Sequence, residues 1–220
     1  AKERNIILIE DNAHGFLSKD ADGYVRGEGC GAIVIKPLSK TTEKIWAIIK
    51  STSVNQDGKS SNLTSPNGPS QEEVIQNALD RAGLRPNDID YVEAHGTGTS
   101  LGDPQEIQSI SNIFSHHREE PLIIGAVKTN IGHLEPAAGI AGLIKTIMIL
   151  QKKEVPSNLH FKEINPRLEE FIDNIQFPQD NIKLEKDKIY AGISSFGFGG
   201  TNSHVILESS NDIVEYKEVD

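Results

Sequence analysis

The chain has 220 residues and a formal net charge of −10, from 22 basic and 32 acidic side chains. Because sequence-independent nucleic-acid binding requires a basic face, this balance argues against nucleic acid as a partner. A single cysteine excludes an intrachain disulfide framework and favours a reducing, cytoplasmic compartment. The longest apolar stretch, Ala137 to Leu150, contains Lys145 and is shorter than the ~20 residues that span a bilayer. We therefore expect no membrane segment, and the N-terminus lacks a signal-peptide layout.

The first part of the chain is predicted to form turns and strands. A turn-rich loop from Asp20 to Gly29 leads into an apolar run from Ala32 to Leu38. A second run, Trp46 to Val54, is rich in β-branched and apolar residues. Since only the polar stretch Ser39 to Lys44 separates them, the two runs are predicted to form a β-hairpin. A long polar loop follows from Asn55 to Ser70.

Helices and strands then alternate along the chain, which predicts an α/β fold. The predicted elements are a helix from Pro69 to about Ala82, a strand from Ile89 to Ala94, a helix beginning at Asp103, a strand from Leu122 to Val127 and a helix from Pro136 to about Leu150. A short segment from Phe171 to Phe177 follows. Two final strands, Tyr190 to Ser195 and His204 to Leu207, flank a glycine loop.

Two histidines leave strand-like segments into glycine-bearing turns. His95 lies in the segment Val92 to Thr99, His133 ends the segment Lys128 to His133, and the glycine loop spans Ser195 to Asn202. In open α/β sheets the carboxyl ends of strands meet at the edge where ligands bind. Two neutral imidazoles there could donate N–H hydrogen bonds to one developing oxyanion. The pattern therefore predicts a site that needs no metal.

Other polar residues near these histidines have both functional and structural interpretations. Lys128 could disfavour imidazolium formation and keep His133 a neutral donor, although His133 alone is equally consistent with a satisfied loop histidine. The hydroxyls of Thr97 and Thr99 could bind an amide-bearing ligand, or each could cap a structural turn. The only thiol, Cys30, is interpreted as a strand residue and not as a nucleophile.

Three other site types fit the sequence poorly. The glycines after His95 are spaced GxGxxxG, whereas the dinucleotide fingerprint is GxGxxG. Zinc binding is disfavoured because His95 and His133 are far apart and no HExxH or CxxC spacing occurs. The segment Gly192 to Gly197 is not the GxSxG turn of a serine hydrolase.

Five segments between Asp20 and Glu208 resemble, in order, signatures of the C-terminal half of a β-ketoacyl synthase, specifically the ketosynthase domain of polyketide synthases. They are ADGYVRGEGCGAIVIKPLS, VNQDGKSSNLTSPNGPSQ, VEAHGTGTSLGDPQE, AVKTNIGHLEPAAGIAGLIK and ISSFGFGGTNSHVILE. The resemblance implies a thiolase-like fold, of which this chain is the C-terminal half, with a mixed sheet covered by helices. In residues 1–19 no motif of the family is recognised, and residues 209–220 are expected to form a polar tail.

The resemblance also implies an acyltransferase reaction of polyketide and fatty acid biosynthesis. An acyl group passes from the phosphopantetheine of an acyl carrier protein to a cysteine of the N-terminal half, and a malonyl-type thioester then decarboxylates and attacks it. Residues matching His95 and His133 stabilise the enolate, and the residue matching Lys128 supports their orientation and charge. Residues matching Thr97 and Thr99 bind the pantetheine arm.

The glycine loop has implied roles as well. The residue matching Phe196 gates the acyl pocket, and its backbone N–H helps to form the oxyanion hole. Gly197, Phe198 and Gly199 belong to the same substrate-binding loop, since a gate needs conformational freedom. No bound cofactor or metal is implied. The implied partners are an acyl carrier protein, the N-terminal half and, in the complete domain, a second copy in a homodimer.

One feature of the family is missing from the matched segments. The family's nucleophile lies in a TACSSS-type segment upstream of the point corresponding to Asp20, and nothing in residues 1–19 resembles it. Without that cysteine no acyl-enzyme forms, so we expect this half to be incomplete or inactive without the N-terminal half. It should then also expose an apolar face, which predicts self-association or poor solubility. Two alternatives stay open: a non-catalytic remnant that binds a carrier protein, and decarboxylation by this half alone.

Overall fold

The computed structural model describes residues 24–58, 66–116, 118–161, 164 and 166–211. The strands in these ranges are β1 (Ala47–Gln56), β2 (Tyr91–Glu93), β3 (Leu122–Gly125), β4 (Glu154–Val155), β5 (Ile175–Gln176), β6 (Ile182–Lys183), β7 (Tyr190–Phe196) and β8 (Thr201–Ser209). The α-helices are α1 (Gly68–Ala82), α2 (Gly102–Phe114), α3 (Lys128–Ile131) and α4 (Ala138–Lys152). Short 3-10 helices span Leu38–Lys40, Pro86–Asp88, Glu135–Ala137 and Pro166–Phe171.

Within these ranges, six strands form one mixed sheet in the order β1-β8-β7-β2-β3-β5. The neighbours β7, β2, β3 and β5 are parallel, whereas β8 is antiparallel to both β1 and β7. Every residue of β2 and β3 is buried, as a parallel sheet with both faces covered requires. The prediction of an α/β half with a mixed sheet covered by helices is confirmed.

Helices cover the sheet on both faces and create two apolar cores. Helices α1 and α2 contribute to the first core, which includes Val74, Ile75, Ile107 and Phe114. Helix α4 contributes Ile149 and Leu150 to the second core, which continues to β7 and to the small β4-β6 ribbon. Within the described part of the chain, no helix combines the length and apolar character that crossing a membrane requires.

The predicted hairpin before α1 is wrong. Residues 32–38 are described, but they lie in no strand, and β1 pairs with β8 along its length. Val34 is 87% exposed and Ile35 is 67% exposed. An alternating pattern identifies a strand face but not its partner, and β1 finds that partner at the far end of the chain. Cys30 is likewise no strand residue; it is an exposed, free thiol.

Smaller differences concern the ends of elements near the histidines. Strand β3 ends at Gly125, and Lys128 begins α3 instead of ending a strand. Helix α4 begins at Ala138, after the 3-10 turn Glu135–Ala137. The β4-β6 ribbon has no counterpart in the predicted elements, because two-residue strands are too short for an alternating pattern.

An apolar groove of about 820 Å³ lies between residues 32–49 and helix α4. It is lined by Trp46, Leu143, Ile147 and Met148, among other residues. Ile144, which also lines it, is 40% exposed. The segment before the groove approaches α4 closely, since a Cβ at Gly31 would lie 2.8 Å from Cγ1 of Ile140.

Candidate active site

The structure brings the two histidine turns and the glycine loop together. The His95 and His133 rings meet edge to face, with their centroids 5.6 Å apart. The Phe196 ring lies 5.8 Å from His95 on another side. His95 follows β2, His133 follows α3, and Phe196 ends β7. Because β7, β2 and β3 are adjacent and parallel, their carboxyl ends deliver these side chains to one edge of the sheet.

Hydrogen bonds hold His133 on both sides. Its backbone N–H donates to the carbonyl of Val25 at 2.8 Å, and its own carbonyl accepts from the N–H of Gly27 at 2.9 Å. The backbone N–H of Glu135 donates to Nδ1 of His133 at 2.9 Å. Since Nδ1 accepts, a neutral ring carries its proton on Nε2. His133 is therefore arranged as a hydrogen-bond donor through Nε2. The Tyr24 ring contacts its face, 4.6 Å between centroids.

The backbone around His95 is held by two charged side chains, Lys128, which the sequence pattern had indicated, and Glu106, which it had not. The carboxylate of Glu106 accepts the N–H of His95 at 2.7 Å and that of Gly96 at 2.9 Å. The ammonium of Lys128 donates to the carbonyl of His95. Glu106 was visible only as an acid at a helix start. The one signal in the sequence was its position in the first turns of α2, close to the His95 turn that precedes the helix.

The electrostatics of the site favour neutral imidazoles. Burial lowers the pKa of His95 well below its ordinary value, and the charges of Lys128 and then His133 lower it further. Burial also lowers the pKa of His133, followed by the charge of Lys128, while Glu135 opposes the change. The direction matches the expectation from Lys128, but burial is the larger cause. Burial lowers the pKa of Lys128 and raises that of Glu106 to about 7.

The two threonines occupy the turn after His95. Their Oγ1 atoms are 3.1 Å apart, and Oγ1 of Thr99 accepts the backbone N–H of Gly102 at 3.1 Å. The N–H of Gly98 donates to Oδ1 of Asp103 at 3.0 Å. Thr99 thus caps the start of α2, which is the structural interpretation of that residue. Both threonines are half-buried, so a ligand could still reach the turn.

The glycine loop between β7 and β8 is a tight turn anchored at its base. The N–H of Gly197 donates to the carbonyl of Thr201 at 2.7 Å, and Gly200 has φ +83°, which side chains other than glycine rarely adopt. Phe198 is 73% exposed at the tip. Buried Asn202 donates to Oδ1 of Asp57 at 2.6 Å, and the N–H of Asp57 donates to the carbonyl of Gly200 at 2.8 Å. Asp57, directly after β1, therefore supports the glycine loop.

Within the described ranges, no group of three or more His, Cys, Asp or Glu side chains is arranged to hold a metal ion. The two imidazoles lie beside the ammonium of Lys128, so the arrangement places hydrogen-bond donors near a cation. Such donors stabilise negative charge that develops on a substrate oxygen.

Three family models match the chain. The β-ketoacyl synthase C-terminal domain matches residues 46–162, and the ketoacyl-synthetase C-terminal extension matches residues 165–219. The β-ketoacyl synthase N-terminal domain matches residues 3–41, so a family match reaches into residues 1–19, where the sequence motifs indicated none. Residues 1–19 lie outside the described residues, as does most of the tail from 209 to 220.

Curated relatives are large polyketide synthases. A phenolphthiocerol/phthiocerol polyketide synthase protein of Mycobacterium tuberculosis is 45% identical over 88% of this chain, which covers 11% of that protein. A hybrid PKS-NRPS synthetase of Aspergillus niger is 46% identical over 89% of this chain, which covers 5% of that protein. The chain thus spans a small part of the curated relatives it matches.

Solved ketosynthase structures share the fold. An oxazolomycin ketosynthase domain of Streptomyces albus JA3453 superposes with a TM-score of 0.86 at 36% identity, covering 94% of this chain and 38% of that one. The ketosynthase from module 6 of the bacillaene synthase of Bacillus subtilis 168 gives a TM-score of 0.85 at 34% identity, covering 90% and 37%. These matches confirm the resemblance, and the chain belongs to the β-ketoacyl synthase family, carrying the C-terminal part of a polyketide-synthase ketosynthase domain.

Proposed function

We propose that this chain supplies the donor half of a decarboxylative Claisen condensation between an acyl thioester and a malonyl-type thioester. The observation that carries the proposal is the edge-to-face pair of His95 and His133, 5.6 Å between ring centroids, with Nδ1 of His133 already occupied by a backbone donor. That arrangement leaves Nε2–H of His133 for a substrate oxygen. Low pKa values keep both rings neutral near pH 7, so each can donate without being an acid.

In the proposed reaction, decarboxylation follows acyl transfer to the cysteine of the N-terminal half and precedes carbon–carbon bond formation. The bond between the carboxylate carbon and the α-carbon of the malonyl-type thioester breaks, carbon dioxide leaves, and the electron pair moves to the thioester oxygen as an enolate. His95 and His133 donate hydrogen bonds to that oxygen. The enolate carbon then attacks the acyl thioester on the cysteine of the N-terminal half, a carbon–carbon bond forms, and the cysteine thiolate leaves. Lys128, bound to the His95 carbonyl, holds the His95 turn and adds positive charge.

The neighbouring loops fit supporting roles in this reaction. Thr97 and Thr99 bind the pantetheine arm through their hydroxyls. Phe196 gates the acyl pocket and contributes its backbone N–H to the oxyanion hole of the acyl-transfer step. The loop of Gly197, Phe198 and Gly199 moves with that gate. Two observations support this proposed movement: Phe198 is exposed at the tip of the loop, and Gly200 has a positive φ.

Partners follow from the same chemistry. Substrates reach the site on the phosphopantetheine of an acyl carrier protein. The N-terminal half supplies the nucleophilic cysteine, and the complete domain is a homodimer. The site needs no bound cofactor, metal or nucleic acid. We place the reaction in polyketide or fatty acid biosynthesis in the cytoplasm, a location that the single exposed thiol of Cys30 fits.

The test combines the chain with an N-terminal ketosynthase half and measures condensation and carbon dioxide release from a malonyl-type thioester. His133→Ala is expected to lower the rate of decarboxylation by about 10² to 10³, as the loss of one oxyanion donor does elsewhere. His116→Ala is the matched control, because His116 is exposed and follows the end of α2, away from the site. Equal rates for His133→Ala and the parent would contradict the proposal and favour a non-catalytic remnant. Release of carbon dioxide without the N-terminal half would show that this half decarboxylates alone.

A further inference from the structure

A buried ion pair lies directly behind the histidines. Nζ of Lys145, on α4, is 2.9 Å from Oε2 of Glu93, at the end of β2, and the two side chains are 13% and 2% exposed. The same carboxylate oxygen accepts the hydroxyl of Tyr91. Lys145 also lies over the Tyr91 ring, 5.8 Å from its centroid. Transfer of two charges from water into a protein interior is costly, so a pair in this position needs a reason beyond packing.

The Glu93 carboxylate joins the two chain segments that carry the site. It comes two residues before His95, and its Oε1 accepts the backbone N–H of Val127 at 2.5 Å. Val127 directly precedes Lys128, whose ammonium donates to the His95 carbonyl. Glu93 also lines the small cavity that His95 and Lys128 border. The end of β2 and the start of α3 are thus joined by two contacts, one from the Glu93 carboxylate to Val127 and one from the Lys128 ammonium to His95.

Two glycines make room for this group. A Cβ at Gly142 would lie 3.1 Å from Cγ of Glu93, tighter than an ordinary contact. A Cβ at Gly125 would lie 2.5 Å from the Tyr91 hydroxyl and 3.1 Å from Nζ of Lys145. Neither glycine has a positive φ, so space and not backbone conformation accounts for the missing side chain. The surrounding backbone is shaped around the ion pair.

We propose that Glu93 and Lys145 are positioning residues that set where Lys128 sits relative to the two histidines. Lys145 supplies the counter-charge for the buried Glu93 carboxylate. The Lys128 ammonium interacts electrostatically with Glu106 first, then with Glu93 and Asp103, and it is repelled by Lys145. Without Lys145, that repulsion is lost and the unpaired Glu93 carboxylate would draw the Lys128 ammonium towards itself. Lys128 would then leave the His95 carbonyl. The pair therefore keeps Lys128 at His95, and in its catalytic consequence this inference rests on the proposed function.

The test is an NMR titration of the imidazoles in the full chain, without substrate. In Lys145→Met we expect the titration midpoint of His133 to rise towards its ordinary value, because the Lys128 charge, which together with burial lowers its pKa, moves away. Glu135, the other charge that acts on this ring, is unchanged by the substitution. Lys145→Arg, which keeps the charge, should titrate like the parent. The control is Lys50→Met. Nζ of Lys50 lies 3.0 Å from the Glu208 carboxylate, and this ion pair is away from the histidines.

Two further variants keep the test decisive if Lys145→Met does not fold. Lys145→Gln still donates to Glu93 and should raise the midpoint in the same direction by a smaller amount. The double variant Glu93→Gln/Lys145→Met has no unpaired buried charge, keeps an acceptor for Val127 and should return the midpoint to the parent value. If the single variants fold, lose thermal stability and leave the His133 midpoint unchanged, the pair is only structural and the inference is overturned. Because no substrate is present, a chain that fails to condense can still pass this test.

Discussion

We predict that buried His204 makes the stability of this chain strongly dependent on pH. His204, on β8, has no exposed surface, and its Nδ1 is 3.0 Å from the hydroxyl of Ser194. Its Nε2 is buried with no hydrogen-bond partner among the described residues, and a Cβ at Gly192 would lie 2.7 Å from it. Burial lowers the pKa of His204 from 6.5 to about 3. The ring is therefore neutral in the folded chain over the whole range in which it takes a proton when unfolded.

The sign and size of the effect follow from that difference. A lowered pKa in the folded state means that the contribution is fully present above pH 6.5 and is lost as the pH falls from 6.5 towards about 3. Each pH unit in this window costs about 1.4 kcal/mol. Between pH 7 and pH 5, proton uptake by His204 in the unfolded chain should lower the free energy of unfolding by about 2 kcal/mol.

The assay is urea unfolding of the chain at pH 7 and pH 5, compared with His204→Asn. Other histidines, His95 among them, titrate in both proteins, so the difference between the two pH dependences isolates His204. The parent should lose about 2 kcal/mol more than His204→Asn between the two pH values. His116→Asn is the control, because His116 is exposed, and it should follow the parent. Equal losses in the parent and His204→Asn would refute the reasoning and show that the folded state admits the proton.

Three other substitutions test the supports of the site by the same unfolding assay. Glu106→Ala removes the acceptor of two backbone N–H groups and should cost about 2–3 kcal/mol; a loss below about 0.5 kcal/mol would count against it. Gly132→Ala should cost at least about 1 kcal/mol, since φ is +72° and a Cβ would lie 2.8 Å from the Val25 carbonyl. Asn158→Ala leaves the N–H of Ala126 and the carbonyl of Ile124 without their partner, and we expect a loss of about 2 kcal/mol. An unchanged urea midpoint in either variant would contradict that contact.

Local patterns were sufficient for most elements and for the expectation that His95 and His133 lie close together. The alternation of helices and strands from α1 to α4, apart from the short helix α3, came from hydrophobic periodicity, and its boundaries agree with the structure to within about two residues. His95 and His133 were recognisable because each follows an apolar segment and sits beside a glycine turn. Their convergence was predictable since parallel strands end at one edge of the sheet. Five short segments were sufficient to indicate the family.

Tertiary structure alone decided which distant groups meet. The partner of β1 is β8, near the other end of the chain. The alternating pattern of a strand predicts which of its faces is buried but does not predict which strand it pairs with. Glu106 and Glu93 looked like ordinary acids, and Lys145 looked like an interruption of an apolar helix. Each acquires a role only when burial removes water and leaves a specific backbone N–H or ammonium as the remaining partner. Sequence determines which side chains can donate, accept or carry charge, whereas long-range packing determines which of them are taken out of water together.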